Sequence, residues 1–374
     1  MGKRILITST DLMMVQFLIP HVENLAENGF EVEIACSDVG GRMEEIRERL
    51  DGVVGAIYVV RLVRSPASFT NFKGYKDMKR IIEGGRYDII WTNEPVMGVV
   101  TRLAARRARR NGTKVLYMVH GFHFYKGAPK LNWIFFYPIE RFMGKLCDSV
   151  VTVNCEDYRR AQKMRLPQVK YIHGIGINTD RLTPEENRND IRIELGLRED
   201  VFVVLSVGEL NVNKNQKTII SAIAKLNDEN IHYVLCGKGK CLDDLRLQAN
   251  DLEVSSCVHF LGYRTDVVDI CSQSDIFVMS SRREGLPVAV LEAMYCGLPL
   301  VTSNIRGLAD VMRDGVTGYM CYPDDVDAFA AAIADLKANV NLRMKMSEEN
   351  KTVVVPYCIE SVKREVLGLL KSID

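Results

Sequence analysis

The sequence has no apolar run of the roughly 18 residues that a membrane-spanning helix needs. Its longest apolar stretches, such as 133–139, are short and broken. Its ten cysteines contain no C-x-x-C pair, and no metal-ligand cluster stands out. It has almost no net charge, +1 over 374 residues, and no short internal repeat. The opening Met1-Gly2-Lys3-Arg4-Ile5-Leu6-Ile7 is too short and strand-like for a signal peptide. The thiols are therefore expected to be reduced, in a cytosolic chain, and to serve mainly as core filler. With 47% hydrophobic and 26% charged residues, a disordered chain, a fibrous repeat and a small disulfide scaffold are all excluded.

What is present is length, alternation and an uneven charge. At roughly 100–200 residues per domain, the chain predicts two domains. Residues 1–179 carry a net +9 and residues 180–374 a net −8, so the two halves suit different partners. Short apolar runs at Lys3–Ser9, Glu31–Cys36, Tyr87–Thr92, Lys114–Val119 and Ser149–Val153 alternate with helical patterns. Among those patterns are helices over 97–111 and 131–146. This is strand-helix repetition of a parallel sheet with helices on both faces. A Gly-, Asn- and Pro-containing break from Ile175 to Pro184 predicts the linker. The pattern restarts with strands at Val201–Val207, Ile231–Cys236, Val258–Leu261, Ile276–Met279 and Leu298–Thr302, and an amphipathic helix closes the chain from Ile359 to Leu370. The expected fold is α/β, two doubly wound Rossmann-like domains with a central cleft. Residues 1–179 form the first domain, 180–356 the second, and 357–374 a helix returning to the first. Ligands are expected beyond the carboxyl ends of the strands.

The densest chemistry lies at Ser280–Met294, a strand end followed by a helix that starts near Pro287, a residue suited to the first turn. Gly285 lets backbone approach a ligand, and the exposed N–H groups of Leu286–Val288 make an anion site. Glu284 lies in the turn and Glu292 one turn or more into the helix. A carboxylate accepts from two hydroxyls at once and so suits a vicinal diol. The bland alternative is a strand-turn-helix joint carrying two solvated glutamates.

Glu284 to Glu292 forms an E-x7-E pattern with Gly285 and Pro287 in place. It resembles the signature of retaining glycosyltransferases of GT-B fold, family four or "group 1". The resemblance runs over nearly the whole chain. It takes in Ser206-Val207-Gly208-Glu209-Leu210 with Lys214-Asn215-Gln216, Gly237-Lys238-Gly239, Phe260-Leu261-Gly262-Tyr263 and His120-Gly121-Phe122-His123. The last segment, with Glu140 and Asp148–Asn154 after it, is similar to enzymes of bacterial capsule and exopolysaccharide assembly.

The resemblance implies a nucleotide sugar, UDP-linked, held by the second domain. Gly208, Glu209, Lys214, Gly237, Gly262, Tyr263, Arg264, Gly285, Leu286, Pro287, Val288 and Glu292 would bind the donor. His120, Glu284 and Lys214 would be the catalytic set, with Lys214 facing the diphosphate leaving group and His120 the transferred sugar. Relatives often carry Arg where this chain has Glu209, which cannot grip a diphosphate; Arg282, Arg283 and Arg264 are candidate substitutes. Relatives also carry a Gly-Gly loop after the first strand, replaced here by Ser9-Thr10-Asp11-Leu12-Met13-Met14. Asp11 there, with Glu94, His123 and Asn154, is a second-tier or acceptor-side candidate. No metal and no cofactor beyond the nucleotide sugar are expected.

The first half also carries a basic stretch, Thr101–Arg110, read as one helix with Arg102, Arg106, Arg109 and Arg110 on a broad face. A second basic segment interleaves Phe69, Phe72 and Tyr75 with Lys73, Lys76, Lys79 and Arg80. A solvated charged face is the plain reading. Against it stand the net +9 of this half and the apolar bulk of Trp133-Ile134-Phe135-Phe136-Tyr137. Peripheral contact with anionic lipid on the cytoplasmic face is therefore expected, suited to a saccharide or polyprenyl-diphosphate-linked acceptor. No nucleic-acid motif accompanies the charge. A same-fold sugar-nucleotide epimerase and a non-catalytic scaffold of a polysaccharide complex remain as other readings.

Overall fold

The computed structural model describes residues 2–182 and 190–373. Thr183 and Pro184, at the end of the expected linker, lie outside the described residues. The chain divides into two compact units, Met1–Gly176 with Ile359–Asp374, and Ile177–Cys358. The divisions fall at 176/177 and 358/359, a few residues from the expected 179/180 and 356/357.

The first unit is built on seven parallel strands: β1 (Arg4–Ser9), β2 (Glu31–Cys36), β3 (Ala56–Val59), β4 (Ile89–Asn93), β5 (Lys114–Val119), β6 (Ser149–Thr152) and β7 (Val169–Tyr171), in the order β3-β2-β1-β4-β5-β6-β7. The inner strands read as unbroken apolar runs because both sheet faces are covered: Ile5, Leu6 and Ile7 of β1 are all buried. The second unit carries six more: β8 (Phe202–Val207), β9 (Ile231–Cys236), β10 (Val258–Gly262), β11 (Ile276–Met279), β12 (Leu300–Ser303) and β13 (Gly318–Cys321), in the order β10-β9-β8-β11-β12-β13. Separate apolar clusters cover its two faces. One is centred on Ile219, Tyr233, Phe329 and Ile333, the other on Leu205, Phe277, Val290 and Met294.

In each sheet the strand order reverses once, between β1 and β4 and between β8 and β11. The flanking loops there leave in opposite directions, which opens a crevice at the carboxyl ends.

The helix Leu12–Glu27 begins at Asp11, whose carboxylate accepts from Met14 N at 3.0 Å. The last helix, Ile359–Lys371, packs on it within the first unit and buries Val362, Val366 and Leu370.

The basic stretch is not one exposed helix. It splits into Pro95–Ala104 and a short turn, Arg106–Arg110. Arg102 faces the sheet and is fully buried. Its Nε donates to Gly98 O at 2.8 Å, its Nη2 to Glu140 at 3.0 Å, and its guanidinium lies 3.8 Å from the Tyr117 ring centre. Arg109 pairs with Asp148 at 2.7 and 2.9 Å. A buried carboxylate and a neighbouring one claim both cations, so only Arg106 and Arg110 of the four are exposed.

Candidate active site

In the second unit, the loops after β8, β9, β10 and β11 converge. Gly208 N donates to Cys236 O at 2.9 Å and Gly237 N to Gly262 O at 2.7 Å, so three strand ends are tied side by side. Gly237 has φ +157°, and a Cβ there would stand 1.9 Å from Gly208 O. Only glycine permits that approach. The loop after β8 is stitched to the loop after β11: Arg282 N donates to Asn213 O at 2.8 Å, and Asn213 Nδ2 to Arg283 O at 2.9 Å. Asn215, in left-handed conformation at φ 57°, donates to Ser280 O and Pro323 O.

This stitching brings together two groups 70 residues apart. Lys214 Nζ lies 2.8 Å from Glu284 Oε1. The ammonium has three donors, so two are left for a further anion. Just beyond, the helix Val288–Tyr295 starts at Pro287 with no side-chain cap. The N–H groups of Val288 and Ala289 donate to no described residue. Such an end carries partial positive charge. Gly285 is backed by Gly307 (φ +81°), where a Cβ would come within 2.1 Å of Gly285 O. Glu292 lies largely buried one turn into the helix, and burial pushes its carboxyl up to about 7.

Glu209 is exposed, and among the described residues only its carbonyl is engaged, by Gln216 Nε2 at 3.0 Å. Tyr263 is also exposed. Two of the three candidate substitutes for a diphosphate arginine are already committed. Arg264 is bidentate to Glu194, at 2.7 and 3.0 Å, and bonds Asp266 at 2.6 and 2.8 Å. Arg282 pairs with Asp324 at 2.6 Å. Arg283 is exposed, and its side chain makes no hydrogen bond or ion pair with a described residue.

In the first unit, His120 follows β5. Burial lowers its imidazole to about 4, so the ring is neutral near pH 7. Its Nε2 lies 3.1 Å from Asn93 Oδ1, while Asn93 Nδ2 donates to Thr8 O at 3.2 Å. That orientation makes Asn93 the acceptor, so His120 carries its proton on Nε2 and presents a lone pair at Nδ1. Glu94 follows β4 in a strained backbone, φ 62°. Its Oε2 accepts from Ser9 Oγ at 2.8 Å and Thr10 N at 2.6 Å, and burial with the nearby Asp11 raises its carboxyl.

The other acceptor-side candidates each have a structural partner. Asp11 caps a helix and receives Arg64 Nε at 2.8 Å. Asn154 is fully buried and caps the helix Cys155–Lys163, accepting from Asp157 N and donating to Asp157 Oδ2, both at 2.8 Å. His123 stacks on Phe136 with ring centres 4.8 Å apart. Sequence reasoning missed Asn93, which sets the His120 tautomer, and Asp157, which holds Phe122 N at 3.0 Å. Their positions at strand and helix ends are the only signal that pointed there.

Two parallel Rossmann-like sheets with ligand-type groups at their switch points define the GT-B fold. The Anabaena protein Alr3699/HepE, solved with UDP and glucose, has it too: TM-score 0.81, 17% identity, 99% of this chain and all of that one covered. So does WaaG, a glycosyltransferase involved in lipopolysaccharide biosynthesis, at TM-score 0.73 and 16% identity, covering 98% of this chain and 100% of that one.

The chain belongs to the glycosyltransferases: residues 16–181 match Glycosyltransferase Family 4 and residues 187–353 match Glycosyl transferases group 1. It is 36% identical over 366 residues to a Bacillus subtilis (strain 168) protein named as glycosyltransferase EpsD, covering 96% of this chain and 93% of that one. It is 28% identical over 319 residues to the Escherichia coli UDP-Gal:alpha-D-GlcNAc-diphosphoundecaprenol alpha-1,3-galactosyltransferase, covering 83% and 81%.

Proposed function

We propose that the protein transfers a hexosyl or N-acetylhexosaminyl group from a UDP-sugar to a lipid-linked saccharide, with retention of anomeric configuration. The observation that carries this reading is the Lys214–Glu284 pair at the mouth of an uncapped helix, with Glu292 one turn below. Lys214 and the Val288 and Ala289 N–H groups supply positive charge for a departing diphosphate. Glu284 accepts from hydroxyls of the transferred sugar, and Glu292 from the ribose diol. Gly237 and Gly262 bring bare backbone up to the base. The relative that uses UDP-Gal and a diphosphoundecaprenol acceptor supports the donor base and the acceptor class. The similarity to EpsD supports a place in exopolysaccharide or capsule assembly.

The reaction forms a bond between an acceptor hydroxyl oxygen and the anomeric carbon as the bond to the diphosphate oxygen breaks. The acceptor proton passes to the departing phosphate, giving glycoside and UDP. Substitution on one face through an oxocarbenium-like state keeps the configuration without a covalent intermediate. The Nδ1 lone pair of neutral His120 orients the sugar. Charge stabilisation is assigned to protein groups and no metal.

The test is a screen of UDP-, GDP- and ADP-sugars for thermal stabilisation, followed by turnover with the hit. A UDP-sugar should raise the melting temperature, and Lys214→Ala and Glu284→Ala should lower kcat by ~10²-fold or more. Donor binding without transfer to any saccharide acceptor would favour a scaffold. Epimerised donor formed without acceptor would favour an epimerase.

A further inference from the structure

The helix Lys130–Met143 is apolar on both sides. Its inner side, with Trp133, Phe136 and Tyr137, packs on the first unit's core. It is clamped there by Glu140, which accepts from buried Arg102 and from Tyr117 Oη at 3.0 Å each. Its outer side repeats Leu131, Ile134, Phe135, Ile139 and Phe142, the i, i+3, i+4, i+8, i+11 spacing of one helix face. Four of these are 60 to 64% exposed and Ile139 is 46% exposed. A helix apolar all round is normally buried, and an apolar stripe of this size marks an interaction surface.

The charges around the stripe say what covers it. From Lys126 to Lys145 the sequence has four basic residues, Lys126, Lys130, Arg141 and Lys145, all exposed, and one acid, Glu140, which is buried. In the same helical layer, Thr70–Gly85 turns Phe72, Lys73, Lys76, Lys79 and Arg80 to solvent. Arg80 is paired with Asp77 at 3.8 Å, but Lys126, Lys130, Arg141, Lys145, Lys73, Lys76 and Lys79 leave a clear excess of exposed positive charge around the stripe. Apolar side chains ringed by such an excess match an anionic lipid surface, in which acyl chains lie beneath phosphates. A second copy on this face would set the same cations against each other.

We propose that this helix is a membrane-docking element that lies in the headgroup region of an anionic bilayer. Its outer side chains reach roughly 5–10 Å inward. It rests on the lipid-linked acceptor of the reading above and adds a coupling to the site. The docked helix holds the His120 loop directly: Asn132 Nδ2 donates to His123 O at 2.9 Å, Phe136 stacks on His123, and Tyr137 meets Phe124 at 5.3 Å. Seating the helix therefore sets the acceptor-side loop at the surface where a lipid-linked saccharide lies.

The test is co-sedimentation of the full chain with phosphatidylglycerol/phosphatidylethanolamine vesicles and with phosphatidylcholine vesicles. The wild type should pellet with the first, less so as salt rises. Phe135→Asp with Ile139→Asp should weaken that binding by roughly tenfold or more at unchanged melting temperature. A Phe135→Trp variant should shift its emission to the blue on anionic vesicles. Wild-type binding that is absent, or unaltered in the double variant, overturns the proposal; so does a dimer that the double variant dissociates. Vesicle binding needs neither donor nor acceptor, so the two readings separate. Transfer to a water-soluble saccharide without vesicle binding sinks the docking alone. Vesicle binding with no transfer to any acceptor sinks the enzyme reading alone.

Discussion

Burial pushes the Glu292 carboxyl up to about 7 against an ordinary 4.5, so it is neutral in mildly acid solution and ionises around neutrality. A raised carboxyl stabilises the fold fully below the unfolded value and loses that contribution as pH rises through the folded one. The Glu292 contribution to the second unit's unfolding free energy should therefore fall between pH 4.5 and about 7 and then level, and Glu292→Gln should remove that component in urea titrations. The ionised form is the better acceptor for a diol. UDP affinity should rise through pH 7 in the wild type and stay flat in Glu292→Gln. Arg102 presents the opposite problem, a charge with no access to water. Arg102→Met would leave Glu140 buried without its cation and should cost about 3–5 kcal/mol. Urea unfolding followed by tryptophan emission reads this out cleanly, because both tryptophans, Trp91 and Trp133, lie in the first unit.

Helices and loops carry the next set of consequences. His21, on the helix Leu12–Glu27, is lowered to about 4 by burial, as is His120 after β5. A lowered imidazole is neutral in the fold while its unfolded counterpart takes up a proton below 6.5. The first unit should therefore lose stability as pH falls from 6.5 toward 4. Tryptophan-monitored melting between pH 7.5 and 4.5 checks this, and His21→Asn should flatten part of the slope. In the second unit, Gly237→Ala forces a Cβ against Gly208 O, the carbonyl of a residue whose own N–H is tied to Cys236 O. UDP-dependent stabilisation should be lost even if the protein remains folded at 25 °C.

For the whole chain, the last helix belongs by packing to the first unit although the second separates them in sequence. Glu365 holds His173 there, accepting from its backbone N at 2.9 Å with the ring Nδ1 at 2.6 Å. Ending the chain at Cys358 should lower the urea midpoint of the tryptophan transition, because it uncovers Val362, Val366 and Leu370 and their partners. Turnover, once a donor is in hand, should survive excess EDTA, since the proposed charge stabilisation comes from Lys214 and a helix end.

The inner strands of both sheets were legible because burial on two faces demands unbroken apolar runs. The outer β3, β7 and β13 were not: they are three or four residues long and half covered, with little pattern to read. Lys214, Glu284 and Glu292 could be named because each sits at a fixed offset from a strand end or a helix start. Their 2.8 Å meeting could not, since it depends on Asn213 and Asn215 tying two loops together. The basic stretch shows the same limit in reverse. Periodicity put Arg102 on a common face with Arg106 and Arg109, but only packing reveals that this face meets Glu140 and Asp148. Local spacing is written along the chain and settles element type and the residue kinds at each loop, while strand order, with β1 beside β4 and β8 beside β11, is settled only by long-range pairing. Which charges are quenched, which imidazole stays neutral and which apolar face is left uncovered are decided by partners tens of residues away, and only the folded chain brings those together.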